Sequence, residues 1–153
     1  VYEDHPWIPG LEDFVREVDR QHVPMVGVCF GHQLIAQALG GRVEKFPDGW
    51  IVGPQDYTLN NGTPLTLNAW PQDQVMTPPP QARTIMHSPT CAHAALRYGD
   101  HILTVQPHPE FTDEVFRALF HERGHTLPLA IQQAVEEKAE GARPVVQARF
   151  AEF

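Results

Sequence analysis

Residues 23–33 read Val-Pro-Met-Val-Gly-Val-Cys-Phe-Gly-His-Gln, and the fold is decided there. Val23 to Val28 is a short apolar run with Pro24 near its start, as a buried parallel strand reads. His32 to Leu39 has helical spacing, and Gly40-Gly41 end it with a C-cap signal. Between the two, Gly27-x-Cys29-x-Gly31 makes the sequence strand, sharp turn, helix. A turn of this form holds a reactive side chain in a strained position above a sheet. Small residues flank it because strand and helix backbones come close together. Upstream, Pro6 to His22 predicts a helix, with Leu11, Phe14, Val15 and Val18 at helical spacing. Its acidic residues gather towards the start and its basic ones towards the end, which suits the helix dipole. Helix, strand, helix is the rhythm of an α/β fold.

Beyond Gly41 the pattern becomes that of strands. Arg42 to Phe46, Trp50 to Leu59 and Leu65 to Trp70 are split by Pro47-Asp48-Gly49 and Asn60-Asn61-Gly62. Asn-Gly between such runs signals a hairpin. Pro71 to Pro80 reads as a proline-rich loop. Arg83 to His87, Ala94 to Tyr98 and Ile102 to Gln106 predict three more strands, the last two joined at Gly99-Asp100. Thr112 is a candidate N-cap for a helix to about Arg123, closed by Gly124. Leu127 to Glu140 predicts another helix, carrying Leu129, Val135 and Ala139, before a break at Gly141 to Pro144 and an apolar tail, Val145 to Phe153. The expected architecture is a mainly parallel central sheet with flanking helices and an antiparallel excursion after Gly41. Residues 1–153 then form one domain.

Composition narrows the function. The 153 residues are 42% hydrophobic, enough for one domain with a real core. A formal net charge of -8 and a pI near 5.5 argue against a nucleic-acid or anionic-membrane surface. No apolar run approaches the roughly 18 residues that suggest a membrane span, and no signal peptide is visible. Two cysteines are not a disulfide framework, so a reducing, cytoplasmic location is expected, with Cys29 and Cys91 as free thiols. The chain opens in a loop-like stretch, Tyr2 to Pro6, with no methionine before Val1. An N-terminally incomplete domain is therefore expected.

The chemistry lies in two places. Cys29 would sit at the N-terminus of the helix that follows it, where the dipole and a neighbouring imidazole favour thiolate. The backbone N–H of Phe30, next in the chain, would face a developing oxyanion. Val105-Gln106-Pro107-His108-Pro109-Glu110 closes a second apolar strand with a His and a Glu. Two apart on an extended stretch, they point to one side. His108 would take and return the thiol proton, and Glu110 would orient it. His32, one turn from Cys29, suits a packing role better than that of a base. His87, Cys91 and His93 match no common zinc spacing, and no metal is expected.

Gly27-Val28-Cys29-Phe30-Gly31-His32-Gln33 together with Val105-Gln106-Pro107-His108-Pro109-Glu110-Phe111 resembles the class I (triad) glutamine amidotransferases. The section Leu67 to Val75 is similar to the stand-alone branch related to the glutaminase domain of GMP synthase. The resemblance covers most of residues 1 to about 123. It implies a flavodoxin-like α/β fold whose N-terminal strands precede Val1. It also implies a reaction without a cofactor. Cys29 attacks a glutamine side-chain amide, a γ-glutamyl thioester forms, ammonia leaves for a synthetase acceptor, and water releases glutamate. His108 and Glu110 match the partners of the nucleophile, and Phe30 matches the oxyanion-hole residue. Gln33, four past the cysteine, matches a substrate-binding glutamine. Gln72 and Asp73 fall where the family contacts the amino-acid end of the substrate.

Pro71 departs from the family in place of a histidine, and Pro107 in place of an aromatic. The glycine-rich loop that supplies the family's second oxyanion N–H has no counterpart in this sequence, so weak or absent turnover by this stretch alone is expected. Two other readings fit the same residues. One is a γ-glutamyl peptidase using the same thioester, and the other is a non-catalytic remnant of the fold.

Overall fold

Gly27 shows why the strand and helix around Cys29 meet as they do. A Cβ built there would lie 2.9 Å from both C and O of Gly31 and 2.6 Å from Cδ1 of Ile35. The Gly31 backbone occupies the place of a side chain, and that close approach is open only to glycine. The computed structural model describes the backbone of residues 1–141 and side chains to residue 137. The break expected from Gly141 to Pro144 and the tail Val145 to Phe153 lie, apart from Gly141, outside the described residues.

In chain order the elements are α1 (Ile8–Arg20), β1 (Met25–Val28), α2 (Phe30–Ala38), β2 (Arg42–Lys45), β3 (Gly53–Leu59) and β4 (Pro64–Ala69). There follow β5 (Asp73–Thr77), β6 (Ala82–Ser88), β7 (Cys91–Tyr98), β8 (Ile102–Val105), α3 (Asp113–Arg123) and α4 (Leu129–Gly141). A six-stranded sheet runs β1-β8-β7-β6-β3-β4, and β2 pairs with β5 in a second small sheet. The fold is α/β, with helices flanking a mixed sheet. Its parallel part is confined, among the described residues, to β1 on β8, with Val28 opposite Val105. The other pairings are antiparallel. The physical reason is connection length. Short turns such as Asn60-Asn61-Gly62, where Gly62 has φ 87°, can join only antiparallel neighbours.

Four local expectations are corrected. The stretch Pro71 to Pro80 is not wholly loop, because β5 lies inside it. Its prolines stand at 71 and 78–80, so residues 73–77 keep every N–H for pairing with β2. Phe14 is 59% exposed and lies off the packed face of α1, whereas Ile8 and Val15 are buried. Leu129 faces solvent, leaving Val135 to anchor α4. The carboxylates of α1 also avoid its first turn. Glu12 and Asp13 pair instead with Arg16, three or four residues on.

Packing follows the strand alternation. On one face α1 and α2 cover Leu96, Tyr98 and Ile102 through Ile8, Val15, Leu34 and Ile35. On the other, Tyr57, Leu67, Met86 and Val105 form a second cluster. A third joins α3 and α4 to the strands through Phe116, Leu127 and Val135, with Trp70 and Phe111 packed against it.

Candidate functional site

Cys29 sits at the junction of β1 and α2 with φ 51° and ψ -102°. Positive φ at a residue with a side chain is strained. It persists here because both sides of the turn are tied. The Cys29 N–H donates to the Val105 carbonyl at 2.9 Å, continuing the β1–β8 ladder. Its carbonyl accepts the first helical bond, from Gln33 N–H at 3.1 Å. The N–H groups at the start of α2 are then free of helical partners. The elbow expected at this position is present, and it sets Cys29 beside the end of β8.

Burial pushes the Cys29 thiol up to about 11, and the carboxylates of Glu110 and Asp73 push in the same direction. The Phe30 backbone N–H donates towards the sulfur and pulls the other way. Such a group rests as a thiol and becomes a nucleophile only when a base removes its proton. Cys91 is also a free thiol. Its burial, with 4% exposed, pushes it up to about 12, which makes it a core residue.

His108 and Glu110 lie just past β8, on a turn rather than the extended strand end expected. Pro107 and Pro109 have no N–H to continue a ladder, and Phe111 N–H closes the turn on the His108 carbonyl at 3.1 Å. The turn still brings the pair together, with His108 Nδ1 2.7 Å from Glu110 Oε1. A carboxylate can only accept there, so Nδ1 carries the proton and Nε2 is left as a base. The His108 ring lies flat on Phe111, with centroids 4.1 Å apart and planes at 8°. His108 N–H donates to the Asn68 carbonyl at 2.8 Å, and Asn68 Nδ2 donates to the Phe111 carbonyl at 3.3 Å. Asn68 is fully buried.

Gln33 is buried, and its Nε2 donates to the Asp73 carbonyl at 2.7 Å and to Gln106 Oε1 at 3.1 Å. Asp73 opens β5, and its carboxylate accepts from Tyr2 O–H at 3.0 Å. Gln72 is half-buried, and its carbonyl accepts from Phe46 N–H at 2.8 Å. Phe30 is 39% exposed, and its ring packs against Trp7 at 5.8 Å. His32 is fully buried and shares a 2.8 Å hydrogen bond with Thr104 Oγ1, the packing role expected of it. His93 faces Thr84 Oγ1 at 2.7 Å. Among the described residues no group of three His, Cys, Asp or Glu side chains is placed to hold a metal ion.

Sequence reading missed Tyr2, Asn68, Gln106 and Phe111 as parts of this centre. Asn68, Gln106 and Phe111 lie in the motifs quoted above, and a polar residue inside an apolar strand was the available signal for Asn68. Nothing local marks Tyr2, whose partner is 71 residues away. A hollow of about 380 Å³ between α3 and α4 is lined by Phe116, Phe120 and Val135 among others. None of the residues around Cys29 reaches it.

The α/β domain presents a thiol at a strand–helix elbow tied to the end of β8, and a carboxylate-held imidazole just past that strand, the parts a thiol hydrolase or transferase would use. The family is a step more specific. Residues 3–127 match the family model for glutamine amidotransferase class-I, and the chain belongs to that family. It is 28% identical over 151 residues to gamma-glutamyl peptidase 2 of Arabidopsis thaliana, covering 91% of this chain and 60% of that protein. It is 37% identical over 95 residues to the glutamine-hydrolyzing GMP synthase of Aeropyrum pernix, covering 57% of this chain and 18% of that one. The crystal structure of a glutamine amido transferase from Methylobacillus flagellatus superposes with a TM-score of 0.77 at 28% identity, covering 82% of this chain and 54% of that one. The chain therefore spans about half to three-fifths of the length of the peptidase and of the amido transferase, and about a fifth of the GMP synthase. No helix among the described residues is long and apolar enough to cross a membrane.

Proposed function

We propose that the protein hydrolyses a γ-glutamyl amide through a thioester on Cys29, with His108 as base and Glu110 as its orienting carboxylate. The observation that carries this reading is the strained Cys29 turn, hydrogen-bonded to the end of β8, together with the 2.7 Å His108–Glu110 contact just beyond it. His108 Nε2 takes the thiol proton as sulfur attacks the γ-carbonyl carbon. Negative charge gathers on the carbonyl oxygen, within reach of the Phe30 N–H. The C–N bond breaks, and His108 returns the proton to the departing nitrogen. Water then attacks the thioester and gives its proton to His108. The γ-glutamyl acid leaves, and the proton returns to sulfur. Glu110 stabilises the imidazolium at both stages. Gln33, Gln72 and Asp73 are the residues this reading assigns to substrate binding.

With glutamine as substrate the leaving group is ammonia, and a synthetase acceptor is the partner this implies, on the model of the GMP synthase relative. A second reading is favoured by the long match to gamma-glutamyl peptidase 2, in which the leaving group is the amine of a peptide. Both follow the same chemistry in a cytoplasmic setting. The test is a substrate panel on the wild type and on Cys29→Ala. Ammonia released from glutamine supports the amidotransferase reading, and cleavage of γ-glutamyl dipeptides supports the peptidase reading. Loss of both in Cys29→Ala is expected. Turnover that survives the substitution overturns the proposal, and a wild type inert on every member of the panel is the outcome for a non-catalytic fold.

A further inference from the structure

Gln106, one residue past β8 on the way to His108, is a buried polar side chain, with 1% exposed. Its backbone N–H donates to the Ala94 carbonyl at 2.8 Å, so the main chain needs nothing from the side chain. Its Nε2 has no partner among the described residues. A buried amide half satisfied in this way carries an unpaired donor at a cost, so the half that is satisfied matters. That half is Oε1, which accepts from Gln33 Nε2 at 3.1 Å.

The orientation of Gln33 follows from its two neighbours. The Asp73 carbonyl, 2.7 Å from Gln33 Nε2, can only accept. The amide nitrogen of Gln33 must therefore face Asp73, and its second hydrogen is taken by Gln106. Both donors are consumed. What remains of the Gln33 amide is Oε1, met by no donor among the described residues. An apolar residue at 106 would leave one hydrogen of Gln33 unpaired in a buried place and free the amide to turn over. We infer that Gln106 is a positioning residue: it locks the Gln33 amide so that Oε1 is offered to an N–H donor of the substrate, an ammonium or amide group and not a carboxylate. This rests on the reading that a γ-glutamyl compound lies beside Cys29.

The experiment measures how fast Cys29 is labelled by a diazoketone analogue of L-glutamine, divided by its rate with iodoacetamide, which needs no amino-acid recognition. Folding of each variant is checked by circular dichroism. Gln106→Leu is expected to lower this ratio about tenfold, the loss of one well-placed hydrogen bond, while the iodoacetamide rate stays within about twofold. Gln33→Ala is expected to lower it by a similar factor, and the double variant no further than either single one, since one hydrogen bond is lost in all three. Gln106→Glu, protonated in its buried place, keeps an acceptor for Gln33 and is expected to hold the ratio near wild type; it carries the test if the leucine variant does not fold. A wild-type ratio in Gln106→Leu, multiplying losses in the double variant, or a Gln106→Glu as impaired as Gln106→Leu would each overturn the assignment while leaving the Cys29 chemistry standing. A wild type that shows no preference for the glutamine-shaped reagent overturns both.

Discussion

Removing the imidazole of His108 should expose the resting state of the thiol. At pH 8 a thiol at its ordinary value of 9.0 is about one-tenth ionised, whereas one pushed up to about 11 is about one-thousandth ionised. In His108→Ala, Cys29 should react with iodoacetamide about a hundredfold more slowly at pH 8 than the cysteine of an unstructured peptide. Its rate should climb about tenfold per pH unit towards pH 11, because only the pre-formed thiolate reacts. In the wild type His108 can take the proton as sulfur attacks, and the rate should be less steep through neutrality. The readout is site-resolved alkylation by mass spectrometry, in which Cys91, at about 12 and 4% exposed, should stay unlabelled until the fold opens. Glu110→Gln separates two effects of the carboxylate. Its charge helps hold the thiol high, so its removal lowers the Cys29 value, yet turnover should fall because His108 loses its orienting partner. If wild type and His108→Ala trace the same alkylation curve, His108 is not the base and the assignment fails.

Two further outcomes follow from particular packing. Gly27→Ala places a methyl 2.9 Å from the Gly31 backbone, which cannot swing aside as a side chain can. It should cost about 1–3 kcal/mol by urea unfolding and suppress Cys29 labelling by the glutamine analogue, and a variant of wild-type stability and labelling would contradict the close approach. His32 is buried and neutral, held down to about 3 by desolvation against an ordinary 6.5. The unfolded chain takes up a proton there below about pH 6.5 and the folded chain does not, so stability is full above that value. It is lost as pH falls towards about 3, by up to about 1.4 kcal/mol per pH unit. His32→Asn should flatten the urea midpoint against pH between 4 and 6, and equal slopes in the two proteins would refute the burial argument.

Much of this was legible because local signals and tertiary roles coincided. Gly27, Cys29 and Gly31 encode the elbow within five residues, and Gly40, at φ 97°, ends α2 where two adjacent glycines announced it. The misreadings share a cause. β5 was hidden because prolines at both ends mask a five-residue strand whose partner, β2, is about thirty residues upstream. Phe14 and Leu129 are apolar but point outward, and helical spacing cannot say which apolar residues a helix buries. The His108–Glu110 contact survived a wrong account of its backbone, because a two-residue offset suits a turn as well as a strand end.

The antiparallel excursion from β2 to β7, which interrupts the parallel pair in sequence, is needed by the site. In the sheet order β4 is separated from β8 by β7, β6 and β3. Asn68 on β4 nevertheless bridges to His108 beyond the end of β8. Both can hold only if the sheet curls, bringing its β4 side round to the β8 end, as accumulated strand twist allows. The turn at 107–110 then needs no ladder of its own. Asn68 fixes it at His108 N–H and again at the Phe111 carbonyl, while Phe111 reaches from under the imidazole into the Phe116 and Val135 cluster of α3 and α4. Cys29 is set by β1 and α2, and its partners are set by β4, α3 and α4. The distance between Cys29 and His108 is therefore a property of the sheet's curl rather than of either motif. A substitution in the β3–β4 hairpin, far from Cys29 in sequence, should change the reactivity of the thiol through this path.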